Sequence, residues 1–112
     1  MSYYTYMLQC LDDTIYTGIA KDIDKRMQEH FEKKNTAARY TKSHSAGKLL
    51  ALWQSSSRSH AARLEYHIKQ LARENKLRLI RNNDFSVLKD KAAPEVYTRV
   101  YSPELMGKWN KL

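Results

Sequence analysis

The chain has 112 residues, long enough for one domain with one core and too short for two. Twenty Lys and Arg against twelve Asp and Glu leave a net charge of +8, and 42% hydrophobic beside 29% charged residues exclude a disordered chain. No apolar run approaches the ~18 residues of a membrane span, MSYYTYMLQC lacks the basic-then-apolar pattern of a secretory signal, and the single Cys10 excludes an intramolecular disulfide or a cysteine-built zinc site.

In chain order, Tyr4, Tyr6, Leu8 and Cys10 alternate with Tyr3, Thr5, Met7 and Gln9, the period of two that predicts a strand. Asp12, Asp13 and Thr14 turn the chain, and Ile15 to Ile19 returns as a second strand. For Tyr6 and Tyr16 to share a sheet face the paired residue numbers must sum to an even value, as with Leu11 opposite Ile15 around a three-residue loop. From about Asp22 the period becomes helical through Ile23, Met27, His30 and Phe31, with Asp22 and Asp24 at the end where the helix dipole favours anions. This helix fades near Lys33 to Asn35. Residues 35 to 48 lack a sustained period and read as a loop, and Leu49 to Gln54 as a buried third strand. After the serine-rich break at Ser55 to Ser59, with Ser57 or Ser59 as helix N-cap, the stripe Ala61, Leu64, Ile68, Leu71, Ala72 predicts a second helix. A further helical stretch runs through Leu77, Leu79 and Ile80. The tail from Asn82 carries both prolines around EVYTRVY, an edge strand or an extended docking arm. The order β-β-α-β-α-α predicts an α+β fold with a three-stranded antiparallel sheet flanked by helices. Its boundaries are 1–81 for the domain and 82–112 for a C-terminal extension packed on or near it.

The charge is unevenly placed. Residues 1–34 hold five basic and six acidic side chains, residues 35–81 ten and two, and residues 82–112 five and four. The middle block therefore carries the surplus, as expected of one face that meets a polyanion, either nucleic acid or an anionic membrane surface.

Three groups of side chains could do chemistry there. Arg26 and His30 are one helical turn apart, where both can address one phosphate; a solvated helix face is the bland alternative. Glu65 is the only acid between residues 33 and 73. It either balances Arg63 and Lys69 or holds a divalent cation. Tyr6, Tyr16 and Tyr40 lie beside turns and strand ends, as packing residues or as phenols activated by nearby cations. His44, His60 and His67 lack metal-ligand spacing.

Taken in order, Tyr4-Thr5-Tyr6, Tyr16-Thr17-Gly18, Arg26-x-x-Glu29-His30, Arg39-Tyr40-Thr41-Lys42 and Glu65-x-x-Ile68-Lys69-x-Leu71 closely resemble the GIY-YIG nuclease superfamily, in particular its small stand-alone bacterial branch. Thr5 and Thr17 depart from the isoleucines of the name motif, and Tyr4 from its glycine. The resemblance implies a metal-dependent endonuclease that hydrolyses DNA phosphodiester bonds with low sequence specificity or with selectivity for structure, and a role in DNA repair or recombination. It implies catalytic roles for Tyr6, Tyr16, Arg26, His30, Tyr40 and Glu65. Tyr16 is preferred over Tyr6 as general base, Arg26 meets the scissile phosphate, and His30 and Tyr40 orient water or phosphate. Glu65 would bind one Mg²⁺ or Mn²⁺ ion. Arg39, Lys42, Lys48 and Lys69 are the expected nucleic-acid contacts, with DNA as partner, RNA as a further substrate, no membrane, and a reducing cytoplasm as compartment. A non-catalytic nucleic-acid-binding module and an interaction domain docking an acidic protein are the competing readings.

Overall fold

A computed structural model describes residues 2–32 and 43–112. Strands β1 (Tyr3–Cys10) and β2 (Ile15–Ala20) form the expected hairpin, with Gln9 opposite Ile15, Leu8 opposite Tyr16 and Tyr6 opposite Gly18. The paired numbers sum to an even value, so Tyr6 and Tyr16 share a face. The loop lies one residue earlier than expected, over Leu11, Asp12 and Asp13: Cys10 donates to the Thr14 carbonyl at 2.8 Å and Asp13 to that of Cys10 at 2.9 Å. Asp13 takes the left-handed conformation, with φ of 70°, that closes such a loop.

Helix α1 (Ile23–Phe31) starts at Asp22, whose carboxylate accepts from the Lys25 backbone at 3.1 Å. Strand β3 (Ala46–Ser55) begins three residues before the expected Leu49. Its pairing with β1 shifts register between Met7 and Leu8 and again between Gln9 and Cys10, so β3 carries extra residues at Leu50 and Gly47. A Cβ on Gly47 would lie 2.8 Å from the Gln9 carbonyl oxygen, which explains a glycine at the second bulge. Such a residue weakens the apolar run that announces a strand, hence the late expected start.

Helix α2 (Arg58–Lys69) is capped by Ser57, whose hydroxyl accepts from the His60 backbone at 3.2 Å. The apolar stripe expected to continue through Leu71 and Ala72 is broken there, and α3 (Arg73–Asn82) follows as a separate helix, ended by Asn83 in the left-handed conformation.

The expected three-stranded sheet is in fact four-stranded, in the order β2-β1-β3-β4. The added strand β4 (Thr98–Arg99) pairs with Trp53 and Gln54. Only two residues of the alternating EVYTRVY segment join the ladder. Long-range contacts hold them: the Val100 backbone donates to the Leu52 carbonyl at 2.9 Å, and the Arg99 guanidinium lies over the Trp53 ring at 5.0 Å.

The sheet has a core on each face. Met7, Ala51 and Trp53 pack against Leu64, Ile68 and Leu79 of α2 and α3, joined by Phe85, Leu88 and Tyr97 from the tail. Tyr6, Leu8, Leu49 and Leu52 pack on the opposite face against Met27 and Phe31 of α1, with Trp109 after the short helix α4 (Pro103–Lys108). The tail thus contributes to both cores. Trp109 lies 5.3 Å from the Phe31 ring, and Lys111 Nζ donates to the Phe31 carbonyl at 2.8 Å, at the C-terminal end of α1. Among the described residues no helix is long and apolar enough to cross a membrane.

Candidate active site

Among the described residues β2 is an edge strand of the sheet, so side chains from the helices on either face can meet across its outer edge. Tyr6 on β1 and Tyr16 on β2 point to the α1 face with ring centroids 6.2 Å apart. Between them lies Gly18. A Cβ at that position would fall 2.5 Å from the Tyr6 hydroxyl oxygen, 2.7 Å from its Cζ and 3.0 Å from the Tyr16 ring, so glycine is required for the tyrosines to close over the strand.

The hydrophobic face of α1 buries Met27, His30 and Phe31, and this orientation carries Arg26 and His30 onto the tyrosines. Tyr6 Oη lies 2.7 Å from His30 Nε2, and Arg26 Nε donates to the same oxygen at 3.3 Å. His30 is fully buried, and burial, reinforced by the Arg26 charge, lowers its pKa from 6.5 to about 4. The imidazole is therefore neutral near neutrality, with one ring nitrogen protonated and the other carrying a lone pair. Burial, and then the charge of Tyr16, push the Tyr6 phenol above its ordinary range, against the opposing pull of Arg26. These states are mutually consistent: Tyr6 keeps its proton, accepts from Arg26 and shares a hydrogen bond with His30 Nε2. The Tyr16 and His30 rings meet edge to face at 5.5 Å, which completes a Tyr6–His30–Tyr16 triangle.

Across the edge, α2 supplies Glu65 and Lys69, one helical turn apart. Lys69 Nζ lies 5.7 Å from the centre of the Tyr16 ring and 3.4 Å from Glu65 Oε2. The Glu65 charge contributes to the raised pKa of Tyr6, so the carboxylate acts electrostatically on the tyrosine cluster. Among the described residues no three His, Cys, Asp or Glu side chains converge as a metal cage. A lone carboxylate still suits Mg²⁺, which keeps several waters and is commonly held by one or two carboxylates together with substrate phosphate. The Glu65 side chain is 22% exposed, open enough to receive a hydrated ion in exchange for Lys69.

The structure thus brings Tyr6, Tyr16, Arg26, His30, Glu65 and Lys69 to one edge of the sheet. Arg39, Tyr40 and Lys42 lie outside the described residues. Lys48 stands apart from this cluster: it pairs with Gln9 at the hairpin end of β3 and lines a separate cavity with Arg73 and Arg81.

Several side chains escaped the sequence reading. Glu29, 12% exposed, binds Arg26 Nη1 at 3.1 Å and so orients the guanidinium while its Nε addresses Tyr6. Its signal was present, since three-residue spacing on a helix pairs the two side chains. Lys21 and Lys25 line, with Arg26, a groove of about 750 Å³ beside α1. The pKa of Lys76 on α3 is lowered by burial and by the charges of Arg73 and Lys69, so these three cations crowd one surface that begins at the Tyr16 edge.

A protein-family model described as the GIY-YIG catalytic domain matches residues 2–78. The chain is 46% identical over 90 residues to a UPF0213 protein of Fusobacterium nucleatum, covering 80% of this chain and 87% of that one. It is 38% identical over 80 residues to a UPF0213 protein of Halalkalibacterium halodurans, covering 71% and 83% respectively. It is also similar to the solution NMR structure of a UPF0213 protein from Bacillus halodurans, with 32% identity, coverage of 81% of this chain and 96% of that one, and a TM-score of 0.48.

Proposed function

The chain belongs to the GIY-YIG family, and on that premise we propose that it is a metal-dependent endonuclease that hydrolyses DNA phosphodiester bonds. The observation that carries this reading is the convergence of Tyr6, Tyr16, Arg26 and His30 with Glu65 and Lys69 at one edge of the sheet. Phosphodiester hydrolysis needs a base for the attacking water, positive charge at the phosphoryl oxygens and help for the departing oxygen. Each requirement has a candidate here.

Tyr16 is the base toward water. Tyr6 is unsuited to it, because burial holds it protonated and its hydroxyl is already engaged by His30 and Arg26. Tyr6 and His30 instead hold one another and the base of the site in place. Arg26, fixed by Glu29, meets the negative charge developing on the phosphate. Glu65 would hold a Mg²⁺ or Mn²⁺ ion, which would neutralise charge at the scissile group and on the departing oxygen. Lys69, released from Glu65, is then free to contact a neighbouring phosphate.

The flanking backbone follows the cations: Lys21 and Lys25 on one side of the edge, and Lys69, Arg73 and Lys76 on the other. Phosphate contacts set position and carry no sequence information, which supports low sequence specificity or selectivity for the shape of a branched substrate, and with it a place in DNA repair or recombination. A reducing compartment such as the cytoplasm suits the single, buried Cys10.

The test is a cleavage assay on duplex, single-stranded and branched DNA with Mg²⁺, with Mn²⁺ and with EDTA. Metal-dependent nicking is expected. Binding without nicking under every condition would mark a non-catalytic module, and no affinity for DNA even at low salt would mark an acidic-protein docking domain.

A further inference from the structure

One face of α2 is used by neither core nor active site. Tyr66 follows Glu65 by one residue, a rotation of about 100° around the helix, and its ring is 61% exposed. His67 supports it edge to face, with ring centroids 5.1 Å apart. Tyr66 forms a wall of a groove of about 420 Å³ between α2, the start of α3 and the 3-10 turn Phe85–Leu88. Leu71, Val87 and Leu88 give it an apolar floor, and Gln70 and Asn75 put side-chain amides at its sides. Lys89 and Lys91 stand at its rim, and among the described residues no carboxylate lines it.

The rim is built rigidly. Lys89 and Asp90 both take positive φ, 50° and 64°, in a turn closed by bonds from Lys89 N to the Ser86 carbonyl at 3.1 Å and from Lys91 N to that of Leu88 at 3.0 Å. The lysines are thus presented on a fixed corner.

An exposed aromatic wall, an apolar floor, amide groups able to meet base edges and a cationic rim match the chemistry of one unit of single-stranded nucleic acid: a flat base, a polar edge and a phosphate. We infer that the Tyr66 groove is a binding site for an unpaired nucleotide, with the base stacked on Tyr66 and the adjacent phosphates at Lys89 and Lys91. A helix is about 10–12 Å across, so this groove and Glu65 fall within reach of one strand. The inference rests on the nuclease reading and sharpens it: the substrate carries an unpaired stretch beside the scissile bond.

The probe is a short fluorescein-labelled oligothymidine, compared with a blunt duplex of equal length. Binding is followed by anisotropy in EDTA so that no cleavage intervenes. Tyr66→Ala is expected to weaken oligothymidine binding about tenfold, the effect of losing one stacked base, and to leave duplex binding unchanged. Tyr66→Phe, which keeps the ring, should bind like the parent, and Lys89→Ala with Lys91→Ala should lower oligothymidine affinity and flatten its salt dependence. Because Tyr66 is exposed, the variants should fold, which circular dichroism checks. Unchanged oligothymidine binding by Tyr66→Ala would overturn the inference and leave the groove to a protein partner; an equal loss on duplex would overturn it too. Blunt-duplex cleavage with Tyr66-independent binding would sink this inference alone. Tyr66-dependent binding without cleavage of any substrate would instead sink the nuclease reading.

Discussion

Gly18 faces Tyr6 directly across the hairpin, and the space where a side chain would begin is filled by the phenol: a Cβ there would sit 2.5 Å from the tyrosine oxygen. The glycine is therefore a condition for the placement of Tyr6, and through it of His30 and Arg26. Gly18→Ala must displace the ring by the amount of the overlap. We expect a stability loss of about 1–3 kcal/mol, typical of an overfilled interior, and a fall in cleavage rate of about a hundredfold, as expected when a positioned group moves by an ångström. Denaturant titration with single-turnover cleavage checks both. A variant with parental rate would show that Tyr6 need not be held where it is.

His30 makes the fold sensitive to acid. Its pKa is about 4 in the native state against an ordinary 6.5, so below 6.5 the unfolded chain takes up a proton that the folded chain refuses. The associated stability is fully present above pH 6.5 and is lost as pH falls toward 4, by about 3 kcal/mol over the whole window. Among the described residues, Tyr6, Tyr16, Arg26 and Glu29 face the imidazole. Denaturant midpoints measured across this range should drop steeply for the parent and less for His30→Gln. Parallel pH curves for the two proteins would contradict a buried neutral imidazole.

Glu29 separates positioning from contact. Arg26→Ala removes the charge itself and should slow cleavage about 10²–10³-fold. Glu29→Gln leaves the guanidinium in place but weakens its tether, so about a tenfold loss is expected, with substrate affinity close to parental. Rates at saturating substrate, beside anisotropy in EDTA, distinguish the two. If Glu29→Gln matched Arg26→Ala in rate and also lost affinity, Glu29 would have to act on the substrate itself.

Hairpin, first helix and N-cap at Ser57 were legible because each rests on local chemistry: alternation in Tyr3–Cys10, helical spacing from Ile23 to Phe31, and a serine before an apolar stripe. The parity condition on Tyr6 and Tyr16 was legible too, although the loop that satisfies it sits one residue earlier. Strand β4 was open to two readings because its two residues are fixed by Trp53 and Gln54, some 45 positions away in the chain. That α2 and α3 are two helices was legible, but the place of the break was not, because Leu71 and Ala72 keep an apolar period that the chain does not use. At the site, the residue types were visible, but the sequence could not say that Lys48 would stand apart from Lys69, or that Tyr66 would line one groove with Val87 and Leu88.

The tail is tied to the candidate site through α1. Trp109 packs on Phe31, its indole N–H donates to Asp24 Oδ1 at 3.4 Å, and Lys111 caps the helix end. Trp109→Ala should destabilise the protein by about 3–5 kcal/mol, with a weakened α1 and a corresponding loss of activity. Hydrogen exchange should place the added opening in α1 first. Uniform loss of protection across α2 and α3 would show that the tail supports the fold as a whole and not that helix.

In the proposed mechanism Glu65 would carry the metal on which the chemistry at Tyr16 and Arg26 depends. Single-turnover cleavage of a branched DNA, titrated with Mg²⁺ for the parent and for Glu65→Gln, tests it most directly. The account predicts metal-dependent cutting by the parent and a rate at least about a hundredfold lower for Glu65→Gln, with DNA binding in EDTA unchanged. Cleavage by Glu65→Gln at the parental rate and with the same Mg²⁺ dependence would contradict it.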